Sequence, residues 1–264
     1  AEIFIAQDEI ADKIVGLTAS NIRRREGERA LAAPPEKLEA YELTMRARLL
    51  RFSGDTEKVF EARRLLRQAI ERDQSYAMAY ALLGFTENFF LTTRVNDEYA
   101  APATVERMTA ATSKAVTLAP NDAVVRAYHG YSLRAVGDFD AADAEAERAI
   151  ALAPNDSQVL GAAASSILAN GRYDRVIQLV SRARELDPNI NNASIGVVLA
   201  TSQYMLGRYG EAQESASYCV QRARSSTLCR ENLVRALGQA GKIAAAQAEV
   251  AELLRRSPGY SISE

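Results

Sequence analysis

The sequence predicts an all-α, right-handed superhelix of about six helical hairpins preceded by one N-terminal helix. Three observations carry that expectation. The runs Ala115-Val-Thr-Leu-Ala-Pro120-Asn-Asp, Ala149-Ile-Ala-Leu-Ala-Pro154-Asn-Asp and Ala183-Arg-Glu-Leu-Asp-Pro188-Asn set their prolines 34 residues apart. A fixed period of this length marks a copied supersecondary unit that buries its apolar face only by stacking on its neighbours. Within each period, apolar and small residues recur every three or four positions and break at Gly, Asn or Asp, giving two helices per unit.

The first element is a helix over about residues 3–29, with Ile3, Ile10, Ile14 and Leu17 on one stripe and Pro34-Pro35 after it. This stripe is expected to cap the first repeat, with pairing to a second chain as the alternative. Residues 1–37 thus read as helix and linker, and 38–264 as the array, with units at about 40–74, 77–120, 123–154, 157–188, 191–224 and 227–258. Unit one carries Leu43, Ala47 and Leu50, a stretched turn at Ser53-Gly54-Asp55-Thr56, then Ala62, Leu66 and Ala69. Unit two opens at Tyr80, Leu83 and Gly84 and holds about a dozen extra residues between 88 and 103. The expectation there is a longer helix that tucks Phe89 and Phe90 into the core ahead of a polar loop.

Unit three is the cleanest. Val124, Ala127, Gly130 and Leu133 form its first helix, Gly137 stops it, and the chain restarts after a capping Asp138 with Ala142, Ala146, Ala149 and Leu152. Small residues at Gly130, Ala142 and Ala149 let the paired helices interlock. Unit four repeats the scheme through Ala164, Gly171, Val176, Val180 and Ala183. Unit five uses Ala200, Gly207, Ala212, Ala216 and Cys219, and unit six runs from Gly241 through Ala246 and Leu253 to Pro258.

These residues resemble the tetratricopeptide repeat over roughly 38–258: a small residue in each first helix, alanines in the second, and an acidic or alanine residue before proline. The resemblance implies a solenoid whose first helices line a concave wall where partners bind. The large aromatic that the family often places early in its first helix is matched only by Tyr80; Leu43, Arg126, Leu160 and Gly196 stand elsewhere. A second resemblance covers Ile3-Phe-Ile-Ala-Gln-Asp-Glu-Ile-Ala-Asp-Lys-Ile-Val, Pro34-Pro-Glu-Lys-Leu-Glu-Ala-Tyr-Glu-Leu and Glu61-Ala-Arg-Arg-Leu-Leu-Arg-Gln-Ala-Ile. It is similar to the carboxy-terminal half of bacterial multidomain proteins in which repeats follow a class III adenylate or guanylate cyclase domain or a winged-helix DNA-binding domain. None of a cyclase's metal-binding aspartates or base selectors falls in this chain.

Composition narrows function further. Across 264 residues, 32 basic side chains nearly cancel 34 acidic ones, a net charge of −2 that draws in neither nucleic acid nor anionic lipid. No apolar run approaches the roughly 18–20 residues of a membrane span. Cys219 and Cys229 cannot build a disulfide framework, so free buried thiols and a cytoplasmic location are expected, with close approach of the two across a helical hairpin as the alternative. The chain opens at Ala1 directly in helical periodicity, as a piece excised from a longer protein would.

No catalytic constellation, metal site or cofactor motif emerges. His129 is the only imidazole and lies beside Gly130 on a packing face, so a structural role is expected. The carboxylates Asp140, Asp143, Glu145 and Glu147 share one helix with Arg148 and read as a solvated face. Gly207-Arg-Tyr-Gly210 reads as a turn rather than a phosphate cradle.

The concave wall is where a partner is expected. Helical phase places Arg48 and Arg51 there from unit one, Phe85 and Asn88 from unit two, and Tyr128, Tyr131 and Arg134 from unit three. Aromatics give contact area at low entropy cost, and arginine forks bind carboxylates at two points. These seven form a candidate pocket for an acidic or carboxy-terminal peptide; the alternative is a solvated wall whose arginines pair with nearby carboxylates. The wall points to a non-catalytic protein-interaction module, and the second resemblance implies that it belongs to a larger bacterial signalling protein such as a cyclase. A self-association module, or the regulatory half of a transcription regulator, is the alternative.

Overall fold

The computed structural model describes residues 2–34, 38–53, 55–92, 101–188, 190, 193–224 and 226–256. The side chain of Ile3, Pro35, Gly54, insertion residues 93–100 and Pro258 lie outside what is described. Among the described residues there are thirteen α-helices and no strand. Helix α1 (Glu2–Leu31) precedes six antiparallel hairpins: α2 (Ala40–Arg51) with α3 (Thr56–Arg72), α4 (Ala77–Thr92) with α5 (Pro102–Leu118), and α6 (Ala123–Ala135) with α7 (Phe139–Leu152). Then come α8 (Ser157–Ile167) with α9 (Tyr173–Leu186), α10 (Ala193–Met205) with α11 (Tyr209–Arg222), and α12 (Thr227–Gln239) with α13 (Ile243–Arg256). Each first helix touches the first helix of the next hairpin, which puts α2, α4, α6, α8, α10 and α12 on the inner wall of a right-handed superhelix.

Local chemistry explains the punctuation. The turn inside each of the last four hairpins holds a glycine with left-handed φ: Gly137 at 85°, Gly171 at 71°, Gly207 at 74° and Gly241 at 74°. A side chain there strains the backbone, so glycine recurs. Between hairpins, Pro120 and Pro154 stop one helix and the aspartate two residues on starts the next. Asp122 Oδ1 accepts from the N–H groups of Val124 at 2.8 Å and Val125 at 3.0 Å. Asp156 Oδ1 does the same for Gln158 at 2.8 Å and Val159 at 3.2 Å. Each cap satisfies helix N–H groups that have no partner within the helix. Asp138 also caps as expected, accepting from Ala141.

Packing within hairpins is close where glycine faces the partner helix. A Cβ on Gly130 would stand 3.0 Å from the Ala142 carbonyl oxygen, in line with the small-residue seam read from sequence. Phe90 is fully buried and Phe89 half-buried at the end of an extended α4, as the insertion's apolar start predicts. Beside them the carboxylate of Glu87, 1% exposed, gathers Arg67 at 3.3 Å, Arg107 at 3.4 Å and Arg63 at 3.6 Å, tying α3, α4 and α5 together.

Two expectations are corrected. Helix α1 does not cap the array through Ile10 and Ile14, which point to solvent; Leu17 is half-buried, and the helix packs through its small residues Gly16, Gly27 and Ala30. Gly27 lies against Leu49 and Met45 of α2, while Gly16 lies against the backbone of Leu186 and Asn155, at the loops flanking the hairpin α8–α9. Small side chains win this face because they let α1 seat directly on backbone.

The second correction is that Cys219 of α11 and Cys229 of α12 form a disulfide with Cα atoms 5.4 Å apart, instead of standing as free thiols. Both lie on the buried seam between adjacent antiparallel helices, which brings residues ten apart into register. Closing a loop of this size is worth about 2–3 kcal/mol in the unfolded-chain model. We expect the Cys219→Ser/Cys229→Ser variant to lose about that much stability in urea titrations. Under reductant, the wild-type curve should move to meet the variant's.

Candidate functional site

The inner wall brings most of the seven predicted residues together, but not as an open pocket. Phe85 stacks on Tyr128 with ring centroids 4.5 Å apart and meets Tyr131 edge-on at 5.0 Å. All three rings are buried. They form the floor of the wall rather than its contact surface, because successive first helices approach closely enough for their aromatics to interlock. Asn88 leaves the group: it is buried and its amide donates to Met108 Sδ of α5 at 3.6 Å.

The arginines lie over that floor. Arg51 sits with its guanidinium carbon 4.5 Å from the Phe85 centroid, 5.2 Å from Phe89 and 5.7 Å from Phe52, and Nη2 donates to the Phe85 carbonyl at 3.5 Å. Burial pushes its pKa down to about 10. Arg134 lies 4.9 Å from the Tyr131 centroid, with a buried Nε that has no hydrogen-bond partner. Arg48, one turn before Arg51, donates through Nη2 to Gln158 Oε1 on α8, and Gln158 in turn donates to the Tyr128 hydroxyl. Burial lowers the Arg48 pKa, and the charge of Arg23 adds to the effect. Among the described residues none of these three arginines has a carboxylate in ion-pair contact, whereas Arg235 of α12, further along the wall, lies 3.8 Å from Glu231. Stacking on ring faces offsets part of the cost of holding Arg48, Arg51 and Arg134 there.

Helix α1 completes the site. Arg23 bonds Asp156 at 3.1 Å, Ser20 donates to Asp187 at 2.5 Å, and Asp12 pairs with Arg182 at 3.0 Å. So anchored, α1 closes one side of a cavity of about 180 Å³ between itself, α2, the start of α8 and the loop after α9. Its polar lining is Ser20, Arg23, Arg24, Arg48, Gln158 and Asp187, and its apolar walls are Leu49, Phe52 and Ile190. Arg23 and Arg24 have carboxylate partners in Asp156 and Glu28, leaving Arg48 as the lining cation that, among the described residues, bonds a neutral side chain and no carboxylate. Sequence reasoning missed this cavity, since nothing local in α1 says that its small-residue face lies against repeats more than a hundred residues away.

Other candidate chemistry resolves into structure. The ring of His129 is half-buried with Nδ1 3.3 Å from Thr112 Oγ1, and burial lowers its pKa. Arg172 spans Asp143 at 2.9 Å and Glu147 at 3.0 Å, while Arg126 and Arg148 hold Glu145 at 2.6 and 2.8 Å. Among the described residues no group of His, Cys, Asp and Glu is placed to hold a metal ion, and no helix is long and apolar enough to cross a membrane.

The fold is a superhelix of stacked helical hairpins, with Arg48, Arg51 and Arg134 along its inner wall. Solved structures share the fold. A chain of the APC/C hetero-tetramer Cut9-Hcn1 superposes with a TM-score of 0.63 at 14% identity, over 91% of this chain and 44% of that one. A human IFIT1 dimer with PPP-AAAA gives 0.62 at 17% identity, over 84% and 50%. A thermophilic TPR protein of Thermus thermophilus gives 0.52 at 15% identity, over 66% and 92%. The chain thus spans about half the length of the first two. No family model matches the sequence, and no curated protein does.

Proposed function

We propose that this chain is a non-catalytic protein-interaction module that takes an acidic peptide segment or chain terminus at the cavity between α1, α2 and α8 and along the adjoining wall. The observation that supports it is Arg48: a guanidinium in a partly apolar cavity whose bonded partner among the described residues is the neutral Gln158. A half-buried cation without an ion pair is costly, and an incoming carboxylate supplies one while replacing lost hydration. Arg51 and Arg134 extend the same polarity along the wall, over the Phe85–Tyr131 floor. The Cut9-Hcn1 hetero-tetramer, a neighbour in fold, is itself an assembly of protein chains, which fits a protein partner.

We place the module in a larger bacterial signalling protein, a cyclase among the candidates, on the sequence resemblance alone. The domain division at about residue 37 belongs to the same reading, since α1 is built apart from the repeats yet seated on them. The cytoplasmic expectation loses its basis with the bonded cysteines, which suit an oxidising compartment.

The test is fluorescence anisotropy with a labelled oligoglutamate peptide, its glutamine counterpart and PPP-AAAA as the third probe. The oligoglutamate should bind and weaken as salt rises, and the glutamine peptide should not. Preference for PPP-AAAA would move the site to nucleic acid, against the near-neutral charge of the chain, and indifference among all three would end the proposal.

A further inference from the structure

We propose that α1 is a latched strap: its N-terminal part swings off the array, pivoting on its packed C-terminal end, and so admits a ligand to the cavity beside Arg48. That the ligand is acidic rests on the peptide reading above; the opening of the strap does not.

The two parts of α1 are held differently. At the C-terminal end, Ala30 is buried in the same core as Leu43 and Ala47. A Cβ on Gly27 would stand 2.6 Å from Leu49 Cγ, and the Tyr41 hydroxyl of α2 donates to Glu26. From Arg23 back to Asp12, the helix meets the array at Gly16 and through polar groups: Arg23 with Asp156, Ser20 with Asp187, and Asp12 with Arg182. Among the described side chains of α1 no large apolar one is buried. Beneath this stretch lies a second cavity, of about 230 Å³, with Val15, Gly16 and Ala19 on one side and Ala153 and Pro154 on the other. An element with so few buried apolar contacts opens locally, well before the structure around it unfolds.

The latches suit a reversible opening. The side chains of Arg23 and Asp156 are 23% and 21% exposed, and those of Arg182 and Asp12 31% and 33%. Ion pairs that reach solvent hold weakly and loosen as salt rises. Opening is required because the cavity, at about 180 Å³, is smaller than the roughly 300–1,000 Å³ of sites that enclose a ligand. Arg23 couples the two events, since it lines the cavity and also carries the latch to Asp156. A ligand carboxylate that draws Arg23 from Asp156 favours the open strap, and by linkage the open strap favours the ligand.

Hydrogen exchange of the full chain, read by mass spectrometry without ligand, tests the opening. Amides 11–24 should exchange at least tenfold faster than those of α6 and α8, because a helix detached from its support frays. Asp12→Asn and Asp156→Asn should each raise exchange in α1 further and leave α6 and α8 unchanged; asparagine at 156 keeps the cap on α8. In stopped flow, labelled oligoglutamate should associate severalfold faster with Asp12→Asn than with wild type, since residue 12 does not line the cavity. Amides 11–24 as slow as those of α8, or α1 exchange untouched by both variants, overturns the proposal. Faster α1 exchange with an unchanged association rate overturns it too, because the strap then controls no access. An opening strap in a chain that binds no oligoglutamate supports the strap and ends the peptide reading alone.

Discussion

Valine in place of Gly84 should cost about 3 kcal/mol or more, the upper range for overpacking, and shift the urea midpoint accordingly. A Cβ at this position in α4 would lie 2.3 Å from Thr112 Cγ2 and 3.0 Å from the Met108 carbonyl oxygen, both in α5. The threonine methyl can rotate, but the carbonyl belongs to a helix backbone and moves only if α5 moves with it. That shift would carry Met108 and Thr112, both fully buried, out of register. Gly238 in α12 is the matched control, because a Cβ there meets nothing within 4 Å. Gly238→Ala should stabilise by up to about 1 kcal/mol through helix propensity alone. Equal effects at the two sites would refute the close nesting of α4 on α5.

Arg48→Ala should reduce affinity for an acidic peptide roughly 10- to 100-fold, since hydrogen bonds to a charged group contribute about 1.5–3 kcal/mol. Lysine at the same position should recover only part of it, because the ammonium keeps the charge and loses the two-point fork. Stability discriminates this from a structural role. Arg48 is a half-buried cation without an ion pair, so removing it should leave the unfolding midpoint unchanged or raised. A variant that binds as well as wild type but unfolds early would make Arg48 a packing residue. Arg134→Ala is expected to follow in the same direction with a smaller effect, since its guanidinium already lies on Tyr131.

The array itself was legible because its determinants are local. The 34-residue spacing of Pro120, Pro154 and Pro188, and the glycines that take left-handed φ at Gly137, Gly171, Gly207 and Gly241, act within a few residues of where they stand. Helical phase likewise put Arg48, Arg51, Phe85, Tyr128, Tyr131 and Arg134 on one wall. What phase could not give was depth. Whether Phe85 and Tyr128 face a groove or face each other depends on how closely α4 and α6 approach, and their rings stack at 4.5 Å between helices more than 40 residues apart in sequence. The same limit hid the gathering of arginines around Glu87. Helix α1 misled for a different reason: a stripe of Ile10 and Ile14 ordinarily marks the buried face, whereas here glycines at Gly16 and Gly27 do the packing. The Pro-Asn-Asp run did hold a readable cap signal in Asp122 and Asp156, since aspartate two residues past a helix-stopping proline is well placed to start the next helix.

Chemical-shift mapping of the isotopically labelled chain, titrated with an acidic peptide, tests the proposed site most directly. The account predicts that perturbed amides cluster at residues 20–24 of α1, 48–52 of α2, 157–158 of α8 and the loop at 187–190. Perturbations confined to the outer helices α3, α5, α7 and α9, or none at saturating peptide, would contradict it.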